Sequence, residues 1–262
     1  MKVESGGAVS QLLADVSVPP MFYARQRFDT EHIAPSEIPS VIIKKLRQEP
    51  FCSKIRPGME IAITAGSRGI ANIDIIIKTI VDFVKCKGAA PFIVPAMGSH
   101  GGATAEGQSA VLAGYGITPE TMGCEIRSSM EVVKLGVSDT GMPVYMDKNA
   151  YHADGIIISC RLKPHNAFRG TYESGPCKMM TVGLGKQKGA ERVHAAGMGK
   201  ISQNIFSMAK VVLEKAPILF ALPCLENACD QTWKLEAIDK DEILVREPEL
   251  LMEAFARMPS LL

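Results

Sequence analysis

The sequence predicts an α/β fold, an open and mostly parallel sheet with helices on both faces in a Rossmann-like arrangement. Short apolar runs alternate with longer segments of helical periodicity along the 262 residues. The runs IAITA and GIIISC are apolar at successive positions, which is typical of strands covered by helices on both faces. Both runs then break into glycine, serine, arginine, histidine or proline, as strands do where open α/β sheets bind ligands.

The predicted strands are the apolar runs bounded by glycine, proline or polar residues. They span Met21–Phe28, Met59–Ala65, Ala90–Ala96, Cys124–Ser128, Val132–Val137, Gly155–Cys160, Pro217–Leu225 and Thr232–Ile238. The predicted helices are the segments with apolar residues at helical spacing. They span Pro39–Gln48, Ile73–Cys86, Ala103–Ala113, Gly175–Val182, Ala190–His194, Ile201–Glu214 and Pro248–Arg257.

The composition argues against several classes of protein. A net charge of +1 gives no electrostatic reason to expect nucleic acid or an anionic membrane as a partner. The seven cysteines are scattered and odd in number, which indicates reduced thiols and a cytoplasmic protein. We see neither an apolar core of signal-peptide length nor a run long enough to span a membrane.

Polar side chains follow three of the predicted strands. Arg68 lies in GSRG, His100 in MGSHGGAT and His165 in RLKPH. Loops that follow neighbouring parallel strands meet at one edge of the sheet, so we expect these three side chains to share a crevice. His32 lies in a polar linker and His152 at the amino end of a strand, and both are predicted to be structural.

A second group of candidates lies in SGPCKMMTVGLGKQKGAERVH. Lys178 has apolar neighbours, which favour the uncharged and nucleophilic amine, and His194 follows sixteen residues later. The glycine-rich GLGKQKG between them matches neither the dinucleotide GxGxxG pattern nor the Walker pattern. It is therefore a weak nucleotide motif.

Together these elements resemble the nickel-dependent lactate racemase family, whose members carry a nickel-pincer nucleotide. The resemblance implies that Lys178 anchors this cofactor through a thioamide and that His194 is the protein ligand to nickel. His100 and His165 would then act as acid and base on the substrate hydroxyl, and Arg68 would bind the substrate carboxylate. The ordered set of five residues is much more specific than any one of them.

The resemblance covers about Met59–His194 and implies a racemase or epimerase of a 2-hydroxy acid. The cofactor is a pyridinium thioamide/thiocarboxylate mononucleotide that holds nickel, and we expect it only where the host makes it. The resemblance implies that hydride would pass to and from the pincer and leave a planar keto acid that can be reduced on either face. Imidazole can exchange the hydroxyl proton near neutral pH, and a bidentate guanidinium suits a carboxylate.

The sequence departs from the family pattern in ways that bear on substrate and domains. Ala65 stands where members often carry aspartate, and the segment from His165 to Lys178 is longer than in the lactate enzymes, so a larger 2-hydroxy acid or a sugar acid is at least as plausible as lactate. We expect residues 1–240 to be an α/β cofactor-anchoring domain and 241–262 a helix that resembles an interdomain linker. The family's second domain is expected to be absent from this chain, which would lower its activity.

Two other functions remain open on the residues alone. A zinc-type lyase or hydrolase would use His100, His165 and His194 as ligands and leave Lys178 unmodified. A non-catalytic module would bind an anion or nucleotide at Arg68 and the nearby helix start. Besides a small-molecule substrate, we expect no nucleic-acid or membrane partner, and the composition is compatible with a homo-oligomer.

Overall fold

A six-stranded sheet forms the centre of the computed structural model, which describes residues 7–17, 19–23, 25–67, 69–195 and 197–259. A separate two-stranded sheet lies beside it. The strands, in chain order, are β1 (Glu60–Ala65), β2 (Ala90–Pro95), β3 (Val132–Val137), β4 (Pro143–Asp147), β5 (Gly155–Arg161), β6 (Ile218–Glu226), β7 (Thr232–Leu235) and β8 (Ile238–Asp239).

The main sheet is mostly parallel, with the order β2-β1-β5-β6-β7 and β8 paired to β6. β1 runs parallel to β2 and to β5, and β5 runs parallel to β6. β7 and β8 are antiparallel to β6, and β3 and β4 form an antiparallel hairpin of their own. The carboxyl ends of β2, β1 and β5 therefore lie side by side at one edge.

Helices connect these strands. They are α1 (Ala8–Leu12), α2 (Ile38–Leu46), α3 (Phe51–Lys54), α4 (Ile73–Cys86), α5 (Ala105–Gly114), α6 (Pro119–Met122), α7 (Lys148–Tyr151), α8 (Pro176–Lys178), α9 (Lys186–His194), α10 (Ile201–Lys215) and α11 (Ile243–Arg257). A single π-helical turn, Met179–Gly183, continues α8. Such turns are rare and occur often at functional sites.

The sheet has a hydrophobic core on each face, which explains why its central strands are apolar at successive positions. Ile61 and Ile63 of β1 pack in the core that includes α2 and α4. Ala62, which lies between them, packs in the opposite core with α10 and α11. The predicted α/β fold with helices on both faces is confirmed.

Two predicted strands are wrong. In the described parts of Met21–Phe28, residues 21–23 and 25–28 form no strand, and Met21 and Phe22 are exposed. An apolar run becomes a strand only where a neighbouring strand pairs with it. Cys124–Ser128 passes beside β2 but bonds with it only around Ile93, which forms an isolated bridge to Ile126.

Several boundaries also differ from the prediction. Thr232–Ile238 divides into β7 and the start of β8, and β4 was not predicted because its five residues begin with a proline. α9 begins at Lys186, four residues before the predicted start at Ala190, because glycine and charged residues hide the helical pattern there. α11 begins at Ile243, five residues before Pro248.

Pro248 lies inside α11, where its missing N–H leaves the carbonyl of Leu244 without its usual helical donor. The hydroxyl of Tyr172 donates to that carbonyl at 2.7 Å. The Tyr172 ring also stacks on Phe206, with centroids 5.0 Å apart. This tertiary hydrogen bond replaces the one that Pro248 cannot make, so α11 continues on both sides of the proline. The sequence alone predicts that the helix begins at Pro248.

The seven cysteines are free thiols. Burial raises the pKa of the Cys160 and Cys177 thiols well above the usual range, so both are protonated near neutral pH. Among the helices of the described residues, none combines the length and the apolar character needed to span a bilayer.

Candidate active site

Three loops meet at the carboxyl edge of the sheet, because the strands that precede them are parallel neighbours. The loop after β1 carries Ser67, the loop after β2 carries His100, and the loop after β5 carries His165. A cavity of about 440 Å³ opens between them. Its position is the one that the fold class predicts for a ligand site.

The cavity brings together four of the five side chains that the sequence singles out. His100, His165, Lys178 and His194 all line it. Arg68 lies outside the described residues, so its position at the cavity stays a prediction. The chemical roles of the other four also remain predictions, although their placement satisfies the spatial requirement of one shared site.

Lys178 and His194 reach the cavity on one continuous segment made of α8, the π-helical turn and α9. This segment packs closely against the end of β2 at Gly183. A Cβ atom there would lie 2.7 Å from the sulfur of Met179 and 2.8 Å from the carbonyl oxygen of Ala96. Only glycine allows this approach without displacement of the backbone.

His100 is held by its neighbours on two sides. Its Nδ1 lies 2.5 Å from the hydroxyl oxygen of Ser67, which can either donate to or accept from the ring. The next residue, Gly101, has a φ of +65° and packs so closely on α5 that an added Cβ would lie 2.7 Å from the amide nitrogen of Gln108. The His100 loop is therefore fixed against the start of α5.

His165 is oriented by its own loop. Its backbone N–H donates to Glu173 at 2.5 Å, and its ring stacks on Phe168 with centroids 4.2 Å apart. The ring Nδ1 accepts a hydrogen bond from the N–H of Ala167 at 3.1 Å. A neutral His165 ring therefore carries its proton on Nε2.

His194 has the opposite tautomer. Its Nδ1 lies 2.6 Å from the carbonyl oxygen of Ala190, and because a carbonyl only accepts, Nδ1 must carry the hydrogen. In the neutral ring, Nε2 then holds the lone pair that a metal ligand needs. A hydrogen bond of this kind is the usual way in which proteins orient a metal-binding histidine.

A metal site made only of protein side chains has no geometric support in the described residues. No group of three or more His, Cys, Asp or Glu side chains lies together there in a way that could hold an ion. His100, His165 and His194 line one cavity but do not form the cluster that the three-histidine zinc hypothesis requires.

The charged side chains that line the cavity are cationic. Lys178 lies on one wall, with its Nζ 3.4 Å from the hydroxyl of Ser174 and 5.9 Å from the ring centroid of Phe168. Lys163 also lines the cavity, as does Arg161, whose charge is paired with Glu226 and Asp230. None of the described lining residues is an aspartate or glutamate. The site therefore favours an anionic ligand.

The sequence interpretation missed the role of Arg161. Its Nε lies 2.6 Å from a carboxylate oxygen of Glu226, and another guanidinium nitrogen donates to the carbonyl of Gly69 at 3.2 Å. The second carboxylate oxygen of Glu226 accepts from the N–H of Ala71 at 2.6 Å. The pair thus holds Gly69 and Ala71 in place. The sequence hints at this pair only in that each charge ends a buried strand, and the two strands are neighbours.

Two buried ionisable residues behind the cavity were also missed. Lys186 is fully buried, whereas the sequence shows it only as part of the glycine-rich GLGKQKG, a weak nucleotide motif. Glu247 on α11 accepts the N–H of Cys177 at 2.7 Å, and burial raises the pKa of this carboxyl to about 7. Neither residue has a neighbouring motif that would reveal its burial from sequence alone.

Comparisons with known proteins agree with the fold. Residues 19–205, well over half of the chain, match the family model of the lactate racemase N-terminal domain. The structure is similar to that of the lactate racemase apoprotein from Thermoanaerobacterium thermosaccharolyticum, with a TM-score of 0.62 and 15% sequence identity. At that identity the likeness shows the fold alone.

The structural match covers 81% of this chain and 54% of the racemase chain, so this chain spans about half the length of that protein. No match was found among curated protein sequences. The extent of the match to the family model decides the assignment, and the chain belongs to the lactate racemase N-terminal domain family.

Proposed function

We propose that this chain is the cofactor-anchoring part of a racemase or epimerase that acts on a 2-hydroxy acid with a nickel-pincer nucleotide. The observation that carries the proposal is the shared cavity, which is lined by Lys178, His194, His100 and His165. The family assignment supports an isomerase of this kind.

The side chains present fit such a cofactor. The amine of Lys178 lines the cavity, where it can form the thioamide that tethers the nucleotide. His194 lines the same space, and in its neutral ring Nε2 holds the lone pair because Nδ1 donates to the carbonyl of Ala190. One imidazole is sufficient as protein ligand when a pincer supplies the other donors, and Lys163 adds a positive charge for a phosphate.

When bound, the nickel-pincer group supplies a carbon centre that takes hydride from the substrate and returns it. The protein's own groups would handle the proton and the charge. His100 and His165 lie on separate loops that line the cavity, and they are the proposed acid and base for the hydroxyl proton. For His165 to take the proton at Nε2, its ring must first release the N–H of Ala167 and carry its own proton on Nδ1. The hydroxyl of Ser67 can support His100 in either protonation state, because it can donate or accept.

The substrate carboxylate would be bound at the loop after β1. Arg68 is the proposed partner, since its guanidinium can bind a carboxylate with two hydrogen bonds. Arg161 and Glu226 support this proposal indirectly, because they hold the residues on the far side of position 68. The positive lining of the cavity suits lactate and larger 2-hydroxy acids alike.

Intact-mass measurement tests the proposal most sharply at Lys178. Protein made in a host that synthesises the pincer nucleotide should carry a mass increment that is lost in Lys178→Ala. The matched control is Lys188→Ala, which removes an exposed lysine of α9 and should keep the increment. An unmodified wild-type chain from that host, holding stoichiometric zinc instead, would contradict the proposal.

A further inference from the structure

Lys186 is a charged side chain buried completely behind the cavity. Its Nζ lies 2.5 Å from the carbonyl oxygen of Pro95 at the end of β2 and 3.0 Å from the side-chain oxygen of Gln108. A carboxylate oxygen of Asp147 lies 3.2 Å away. The ammonium group therefore joins three elements that are far apart in sequence.

Gln108 extends this contact to the His100 loop. The side chain is fully buried, and its amide nitrogen donates to the carbonyl of Gly98 at 2.9 Å and to that of His100 at 3.3 Å. A primary amide can accept from the ammonium while it donates to two carbonyls. Gln108 thus links the Lys186 side chain to the backbone on which the His100 imidazole is mounted.

The other end of the link lies in the segment that carries the proposed cofactor residues. Lys186 is the first residue of α9, whose last residue is His194, and it has a φ of +54°, which is uncommon for a residue other than glycine. The N–H of Asp147 donates to the carbonyl of Leu184 at 2.7 Å. The turn before α9 is thereby tied to the second sheet.

A buried ion pair of this kind contributes little to stability by itself. Burial lowers the pKa of Lys186 and raises that of Asp147, and the attraction between them opposes both shifts. Apolar side chains of similar volume often stabilise a core as well as such a pair does. What apolar side chains would not supply is the directional contact to Pro95 and Gln108.

We propose that Lys186 and Gln108 are positioning residues that fix the His100 loop relative to the segment carrying Lys178 and His194. The proposal rests on the proposed function, because the distance that this link would fix is the one between the acid/base residue His100 and the cofactor on Lys178. Neither residue lines the cavity, so neither is assigned a contact with substrate.

The first test needs no cofactor. In apo-protein labelled with ¹⁵N-histidine, Gln108→Met should shift the imidazole signals of His100 and leave those of His152 and His32 unchanged. Gln108→Met keeps the volume and leaves Lys186 with Asp147 and Pro95. The matched control is Thr79→Val, which removes a buried side-chain hydrogen bond of α4 distant from the link.

The second test uses the loaded enzyme. Gln108→Met should keep the mass increment on Lys178 and show kcat reduced about 10- to 100-fold, as expected when a reacting group is misplaced. KM should change less than kcat, because the proposed carboxylate contact at Arg68 is not part of this link. Thr79→Val should keep wild-type kcat. If Gln108 only stabilised the fold, Gln108→Met and Thr79→Val would both lose stability, and neither would change the His100 signals selectively.

Unchanged His100 signals together with wild-type kcat in Gln108→Met would overturn the inference. Should that variant not fold, the double variant Lys186→Met/Asp147→Asn interrupts the same link without orphaning a charge and is judged by the same outcomes. Failure of the proposed function appears separately, as a wild-type chain without a mass increment. The spectra of the apo-protein test whether Gln108 positions His100, whether or not the proposed function is correct.

Discussion

The three histidines of the cavity differ in the ring nitrogen that the protein holds. His194 donates from Nδ1 to a carbonyl and so presents a lone pair at Nε2, whereas His165 accepts at Nδ1 and carries its proton at Nε2. Ser67 can satisfy His100 in either form. At the residue scale, the contact at Nδ1 leaves His194 a lone pair for a metal, and Ser67 supports His100 with or without an added proton. His165 can donate from Nε2 as it stands, but it must give up its contact with Ala167 before Nε2 can take a proton.

These differences predict distinct effects of alanine substitution. His194→Ala should lose nickel yet keep the organic mass increment on Lys178. His100→Ala and His165→Ala should keep both nickel and increment, with turnover reduced about 100-fold or more, as is usual on loss of an acid/base group. Metal analysis, intact mass and chiral chromatography measure these properties.

His152→Ala is the matched control for these variants. Its ring bonds to the carbonyl of Lys148 on the surface, and it should behave as wild type. Wild-type rates in both His100→Ala and His165→Ala, or full nickel retention in His194→Ala, would contradict the assignment.

At the scale of elements, α11 supports the segment that carries Lys178. Glu247 reaches from α11 to the start of α8 and accepts the N–H of Cys177 at 2.7 Å. Desolvation raises the pKa of this carboxyl from 4.5 to about 7, so the folded state favours its protonated form. Packing of this helix is therefore linked to pH.

The direction of this linkage follows from the raised pKa. The stabilising contribution is complete below about pH 4.5 and is lost as the pH rises through about 7, because the folded state binds the proton more tightly. The loss amounts to about 3 kcal/mol of unfolding free energy. Glu247→Gln keeps an acceptor for Cys177 without a charge, and should be less destabilised than wild type between pH 5 and pH 8.

Urea unfolding at the two pH values measures this difference. Glu249→Gln, an exposed position on the same helix, is the matched control and should retain the wild-type pH dependence. Equal pH dependence in wild type and Glu247→Gln would show that the carboxyl does not titrate in this range in the folded protein.

The strands that could be predicted are those whose sequence directly reflects their environment. β5 and β1 are apolar on both faces because helices cover both, and this pattern is visible in the residues. The pairing of β2, β1 and β5 then determines which loops meet, so the convergence of His100 and His165 followed from topology.

Other features depend on tertiary contacts that leave no local pattern. The passage of α11 through Pro248 relies on the hydroxyl of Tyr172. The burial of Lys186 relies on Gln108 and Asp147, which lie far from it in sequence. The segment around Met21 is apolar but has no strand beside it among the described residues. Sequence periodicity does not report such contacts.

At the scale of the whole molecule, the cavity lies at the exposed carboxyl edge of the sheet, and the chain spans about half of the racemase of known structure. α11 packs in the core of the sheet through Leu250 and Leu251. The residues proposed for cofactor attachment all lie within the present chain.

The central claim is that one nickel ion is bound by His194 in the cavity that Lys178 shares. Anomalous diffraction at the nickel edge, from crystals of protein made in a host with the cofactor pathway, tests it most directly. We predict a single nickel peak at bonding distance from Nε2 of His194, with density continuous to Lys178. A metal peak held jointly by His100 and His165, or located outside this cavity, would contradict the account.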